Sequence, residues 1–145
     1  MKVIIQKPND DEKDSIIVRC RYVDPDLIAL LNAAVSHKGK LVAHLNGNTH
    51  LLSPTDVYYI DTVDSKTFLY CENTVYDSKQ KLYELEEFLE YHDFLRVSKS
   101  LIINLRKVKF LSPAFHGRLQ AELKNGEKVV ISRQYVPALK RTLGI

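Results

Sequence analysis

The sequence predicts a mostly β, α+β chain: antiparallel β-sheets with short helices, preceded by a small β-β-α extension. Three observations predict it. Beyond Lys40, apolar residues alternate with polar ones in short runs, the period of half-buried strands. Turn formers punctuate these runs, above all Asn46-Gly47 and Asn125-Gly126, and Asn-Gly is the strongest short hairpin signal. Helical spacing is confined to residues 24–39, 78–93 and 133–144.

The elements follow in order. Lys2–Gln6 is a first strand candidate, and Pro8 and Asn9 open a polar, acidic loop. Ser15–Val23 reads as a strand with Ile16, Val18, Cys20 and Tyr22 on one face. Asp24 is a good N-cap and Pro25 suits the first helical position. Leu27, Ile28, Leu31 and Val35 then recur at helical spacing, and Gly39 supplies a C-terminal cap near His37–Gly39. The extension is therefore bounded at residues 1–39, with the main domain at 40–145.

In the main domain, Leu41–Asn46 and Thr49–Leu52 form a hairpin, and Pro54 and Asp56 mark a short turn. Val57–Val63 alternates strictly, with Val57, Tyr59, Asp61 and Val63 on one face. Asp64-Ser65-Lys66 turns into Thr67–Glu72, and Asn73 into Thr74–Asp77, so this half reads as an antiparallel meander. A helix starts at Ser78 with the stripe Leu82, Leu85, Phe88 and Leu89 and ends at Tyr91–Asp93. Strands follow at Phe94–Ser98, Leu101–Leu105, Val108–Ser112, Gly117–Lys124 and Glu127–Ser132. A last helix begins near Arg133, carries Tyr135, Val136, Leu139 and Leu143, and ends at Gly144.

At 145 residues and 45% hydrophobic content, the chain can bury a core without disulfide or metal. No apolar run approaches the ~20 residues of a membrane span. Val3, Ile4 and Ile5 are too few for a signal-peptide core, so a cytoplasmic location is expected. Cys20 and Cys71 stand alone and read as small buried hydrophobes.

Enzyme chemistry finds no support. His37, His44, His50, His92 and His116 lack metal-ligand spacing, the five glycines are not grouped, and no nucleophile motif stands out. No cofactor, metal or small-molecule substrate is expected. The charge is uneven instead: residues 1–93 carry 10 basic and 16 acidic side chains, and residues 94–145 carry 11 basic and 2 acidic. The basic half points to a polyanion partner.

The stretch FLRVSKSLIINLRKVKFL, followed by GRLQAELKNGEKVVISRQYVPALKRTLGI, resembles the LytTR DNA-binding domain family. The likeness is an ordered set. An aromatic–Leu–Arg–x–Ser–x–Ser segment at Phe94–Ser100 precedes Ile102, Ile103 and Asn104. Basic residues at Arg106–Lys109 follow, then the Asn125-Gly126 hairpin, Ile131-Ser132-Arg133 and a short amphipathic helix. Upstream, Val57-Tyr58-Tyr59-Ile60-Asp61 before a polar turn is also similar, so the likeness runs from about Lys40 to the end.

The resemblance implies a mostly β regulator of transcription that reads double-stranded DNA with loops in successive major grooves. It implies pairing on direct-repeat sites, hence self-association on DNA. Most relatives carry a receiver domain. About 39 residues precede the match here, too few for one, so a stand-alone type is expected. Stand-alone members are often held in check by small membrane proteins.

By resemblance, the reading edge falls at the Asp64–Phe68 turn, the Arg96–Ser100 segment and the Ser132–Tyr135 junction. Arg133 is the leading base reader: a cation at a helix start is mildly disfavoured by the dipole, which argues for a functional reason. Gln134 suits adenine or is a plain exposed Gln. Lys99 is expected to face a base or phosphate, and Arg96 a phosphate. Ser98 and Ser100 either donate to phosphate or cap a turn. Lys66 and Thr67 lie in the first turn, where Asp64 would repel phosphate. Arg106, Lys107, Lys109, Arg118, Lys140 and Arg141 form a phosphate belt or a solvated face. Asn104 reads as a buried tie between strand ends. The competing reading is a protein-interaction module without specific DNA binding, built on the acidic extension and an edge strand at Ile16–Tyr22.

Overall fold

The computed structural model describes residues 4, 6–12, 17–29 and 39–145. The chain divides into two compact units, Met1–Val35 and Ser36–Ile145. In the first unit, the Glu12 N–H donates to the Asn9 carbonyl at 2.9 Å, closing a turn where the sequence places one. Residues 25–29 are helical. The Asp24 carboxylate accepts the Asp26 N–H at 2.9 Å, the N-cap role read from the sequence. The rest of that helix lies outside the described residues.

The strand expected at Ser15–Val23 is corrected. Residues 17–23 are in no strand, and Val18, Cys20 and Tyr22 are exposed. A lone strand cannot pair its backbone groups, and no described residue of this unit offers a partner. Ser15 and Ile16 lie outside the described residues, as do Lys2, Val3 and Ile5 of the first strand candidate; Ile4 and Gln6 are in no strand. Cys20, read as buried, is exposed, whereas Cys71 is half-buried.

The second unit contains strands β1 (Leu41–Leu45), β2 (Asn48–Leu52), β3 (Val57–Val63), β4 (Lys66–Cys71) and β5 (Val75–Ser78). Helix α1 (Leu82–Phe88) follows, then β6 (Phe94–Arg96), β7 (Leu101–Asn104), β8 (Val108–Pro113), β9 (Leu119–Leu123), β10 (Lys128–Ile131) and helix α2 (Val136–Leu143). The first seven strands form one sheet in the order β2-β1-β5-β4-β3-β7-β6, and the last three a second, β10-β9-β8. Every strand pair is antiparallel.

The turn chemistry appears where the sequence puts it. Asn46 and Gly47 adopt φ of 51° and 78°, and Asp64 and Ser65 adopt 51° and 63°. Two left-handed residues in a two-residue loop match the twist of the flanking strands. Asp64 is therefore accounted for by its backbone conformation.

The meander is only partly right. Strands β3, β4 and β5 are consecutive neighbours, but the β1–β2 hairpin attaches through β1 to β5 rather than beside β3. Strand β3 gives both its edges to β4 and β7, so β2 has no edge of β3 to join. Helix α1 also starts later than Ser78, because Ser78 still pairs with Thr67 in the sheet. The Glu84 carboxylate accepts the Lys81 N–H at 3.3 Å at the true start.

The large sheet is buried on both faces. Leu82, Leu85 and Leu89 at the α1 end pack with Leu41, Val57, Ile60, Leu69 and Ile102. On the other face, Tyr58, Val97 and Ile103 pack with Ala121, Leu123, Val129, Ile131 and Leu139 of the small sheet and α2. Neighbouring Ile102 and Ile103 point to opposite faces, so β7 reads as a continuous apolar run rather than an alternating one.

Strict alternation in β3 is corrected by a bulge between Val57 and Tyr59. It sends Val57 and Ile60 into the first core and Tyr58 and Tyr59 into the second. Asn104, 1% exposed, secures this point. Its Nδ2 donates to the Val57 carbonyl at 2.8 Å, and its Oδ1 accepts the Arg106 N–H at 3.0 Å. It is the buried tie expected from the sequence.

Candidate nucleic-acid interface

Two backbone hydrogen bonds gather the three expected segments at one end of the large sheet. The Thr62 N–H donates to the Ser100 carbonyl at 2.9 Å, which seats the β6–β7 loop beside the β3–β4 hairpin end. The Ser132 N–H donates to the Val97 carbonyl at 2.9 Å, which brings the β10–α2 junction against the same loop. Between that junction, the loop and the β8–β9 connection lies an open groove of about 670 Å³. Ser98, Lys99, Ser100, Ser132, Arg133, Gln134 and Tyr135 line it, together with His116 and Arg118. The lining holds three permanent cations and no carboxylate.

The β6–β7 loop is built from within. Ser98 Oγ accepts the Ser100 N–H at 3.2 Å, the turn-capping alternative of the sequence reading. Arg96 reaches under the loop, donating to the Ser98 carbonyl at 3.1 Å and to the Lys99 carbonyl. Its third partner is Glu86 Oε2 at 2.9 Å, an ion pair with α1. The guanidinium expected to touch phosphate is thus engaged in shaping the loop. Lys99 and Ser100, at the tip, are exposed.

Arg133 opens the single-turn helix Arg133–Tyr135 ahead of α2. It is exposed, as is Gln134. The Tyr135 N–H donates to the Ser132 carbonyl at 2.9 Å, closing the turn. The stem of Arg133 lies over Gly117, which has φ of 75°. The β8–β9 connection is itself closed by the Ala114 N–H donating to the Arg118 carbonyl at 3.0 Å. Arg118 Nε donates to the Phe115 carbonyl at 3.0 Å.

The first turn contributes less. Lys66 is exposed at the hairpin end, but Thr67 is 5% exposed and pairs with Thr62 and Ser78 within the sheet. Its side chain is inside, because it belongs to β4 rather than to the turn. Neither lines the groove.

The wider basic set is dispersed. Arg106 pairs with Asp93 at 2.6 Å, and Lys107 stands 4.9 Å from the centre of the Tyr58 ring. Lys109, Lys140 and Arg141 are exposed.

Sequence reasoning missed His116 and Gly117. The strand assigned to Gly117–Lys124 starts instead at Leu119, and the residues before it form the turn. The signal was the His-Gly pair between two strand patterns: His116 and Gly117 adopt φ of 61° and 75°.

Known proteins match this chain in sequence and fold. Residues 47–144 match the LytTr DNA-binding domain. The solved structure of a LytTr DNA-binding domain from Bacillus cereus superposes with a TM-score of 0.70 at 25% identity, covering 74% of this chain and 98% of that one. The sensory transduction protein LytT of Enterococcus faecalis is 31% identical over 146 residues, 99% of this chain and 60% of that protein. LytT of Bacillus subtilis is 25% identical over 142 residues, 59% of its length. This chain thus spans about three fifths of those two relatives. A protein of Staphylococcus aureus described as an HTH-type transcriptional regulator is 26% identical over 140 residues, 94% of this chain and 95% of that one. With the family match covering most of the chain and the β architecture in agreement, this chain belongs to the LytTR DNA-binding domain family.

Proposed function

We propose that the chain is a transcription regulator that binds double-stranded DNA through this groove. Arg133 and Gln134 read base edges, Lys99 and Arg118 meet bases or phosphates, and Ser100 and Lys66 anchor the flanks. Arg96 acts through the loop it shapes. The observation that carries this reading is the groove lining, where Lys99, Arg118 and Arg133 converge from three separate segments with no carboxylate among them. Guanidinium and amide groups suit guanine O6/N7 and adenine N6/N7. Two copies occupying adjacent direct repeats is the further expectation from the family.

The test is salt-dependent binding to the chain's own upstream region against a shuffled duplex of equal composition. A preference for the upstream duplex, with affinity falling steeply as salt rises, supports the reading. A second shifted species on two half-sites, absent on one, supports pairing. Equal binding to both duplexes counts against autoregulation, and salt-insensitive binding counts against the groove.

A further inference from the structure

The β8–β9 connection holds an unexplained side chain. Phe115 is 83% exposed, near the top of the range for large apolar residues here. Its ring centroid lies 6.4 Å from that of His116, which lines the groove. Its carbonyl accepts from Arg118 Nε, so the loop that lifts the ring also fixes a groove cation. Single exposed apolar residues are ordinary, but this one adjoins His116 of a groove whose lining carries three cations and no carboxylate. The phenyl gains almost nothing from the folded chain alone. Double-stranded DNA offers apolar surface to such a ring, as thymine methyl groups on the major-groove floor or deoxyribose along its walls.

We propose that the loop from Ala114 to Arg118 is a fourth DNA-contacting segment, with Phe115 making an apolar contact to the DNA beside the bases read by Arg133. The occupant is double-stranded DNA, by charge complementarity with Lys99, Arg118 and Arg133. The inference rests on the DNA-binding reading of the groove. It adds a contact that charge alone does not predict.

The experiment uses the full chain and a duplex enriched by the wild type from a random-sequence pool. Phe115→Ala, Phe115→Leu and wild type are titrated against this duplex and against versions with single thymines replaced by uracil. The expected result is a roughly tenfold loss for Phe115→Ala, partial recovery in Phe115→Leu, and unchanged melting temperatures because the ring is exposed. Loss of the wild-type response to one uracil in Phe115→Ala identifies a thymine methyl. A loss with no such coupling identifies the sugar. Wild-type affinity in Phe115→Ala, with the wild type still discriminating, overturns the fourth contact and leaves the groove reading standing. Failure of the wild type to enrich any duplex overturns both.

Discussion

Gly117 is the floor on which Arg133 rests: a Cβ placed on Gly117 would stand 3.1 Å from Arg133 Cδ and 3.3 Å from Cγ. Gly117 also holds φ of 75°, where an L side chain is strained. Gly117→Ala should therefore do two things. It should lower stability by about 1 kcal/mol, and it should displace the Arg133 stem and reduce discrimination between preferred and shuffled duplexes. Thermal melting and the affinity ratio measure the two separately. An alanine variant that melts earlier but discriminates normally would show that Arg133 does not need this floor.

Arg133 and Lys109 are expected to behave differently. Arg133→Ala should cost about 1–3 kcal/mol of sequence preference. Lys109 is exposed and outside the groove, so Lys109→Ala should weaken all duplexes alike or not at all. A uniform loss in Arg133→Ala would demote that residue to a phosphate contact.

The hydrogen bonds of Arg96 make it a positioning residue. Arg96→Ala frees the Ser98 and Lys99 carbonyls and should destabilise the chain by about 1–3 kcal/mol. Glu86→Ala removes only the outer ion pair, whose partners keep exposures of 25% and 46%. That change should cost under about 1 kcal/mol. Amide exchange in residues 97–100 should accelerate in the first variant and stay near wild type in the second.

Asn104 separates stability from recognition. Asn104→Ala strands the Val57 carbonyl at the bulge and should cost about 1–3 kcal/mol in chemical denaturation. Affinity per folded molecule should hold, because the residue is buried away from the groove. Reduced affinity in fully folded Asn104→Ala would tie the bulge to the binding end.

Alkaline pH should loosen the fold. Burial, with a smaller contribution from Asp56, pushes the Cys71 thiol from 9.0 up to about 11. Tyr58, Tyr59 and Tyr70 are also raised, chiefly by burial. A raised pKa means that the folded state holds the proton longer. The contribution is therefore complete below pH 9 and is lost as pH climbs through about 11 for the thiol. Denaturation midpoints across pH 8–11 should fall, and Cys71→Ala should flatten part of the slope. At neutral pH, iodoacetamide should label exposed Cys20 well before Cys71.

The sequence by itself determined the local chemistry of this protein. Asn46-Gly47 and Asn125-Gly126 placed their hairpins, because left-handed residues in short loops admit few other structures. The apolar run after Ser100 marked a strand, and Asn104 itself was legible as a tie because a buried polar residue closing such a run needs a partner. The family likeness at Phe94–Ser100 and Ile131–Arg133 supplied the segments that meet in the groove. Only the tertiary structure decided the rest. Which edge a hairpin joins depends on which edges are already taken, so the β1–β2 hairpin could not be assigned to β5 in advance. The bulge at Val57 depends on two cores competing for one strand. The direction of Arg96, the burial of Thr67 and the placing of His116 and Gly117 beside Arg133 are likewise nonlocal. They follow from contacts between residues far apart in the chain, which no period in the sequence encodes.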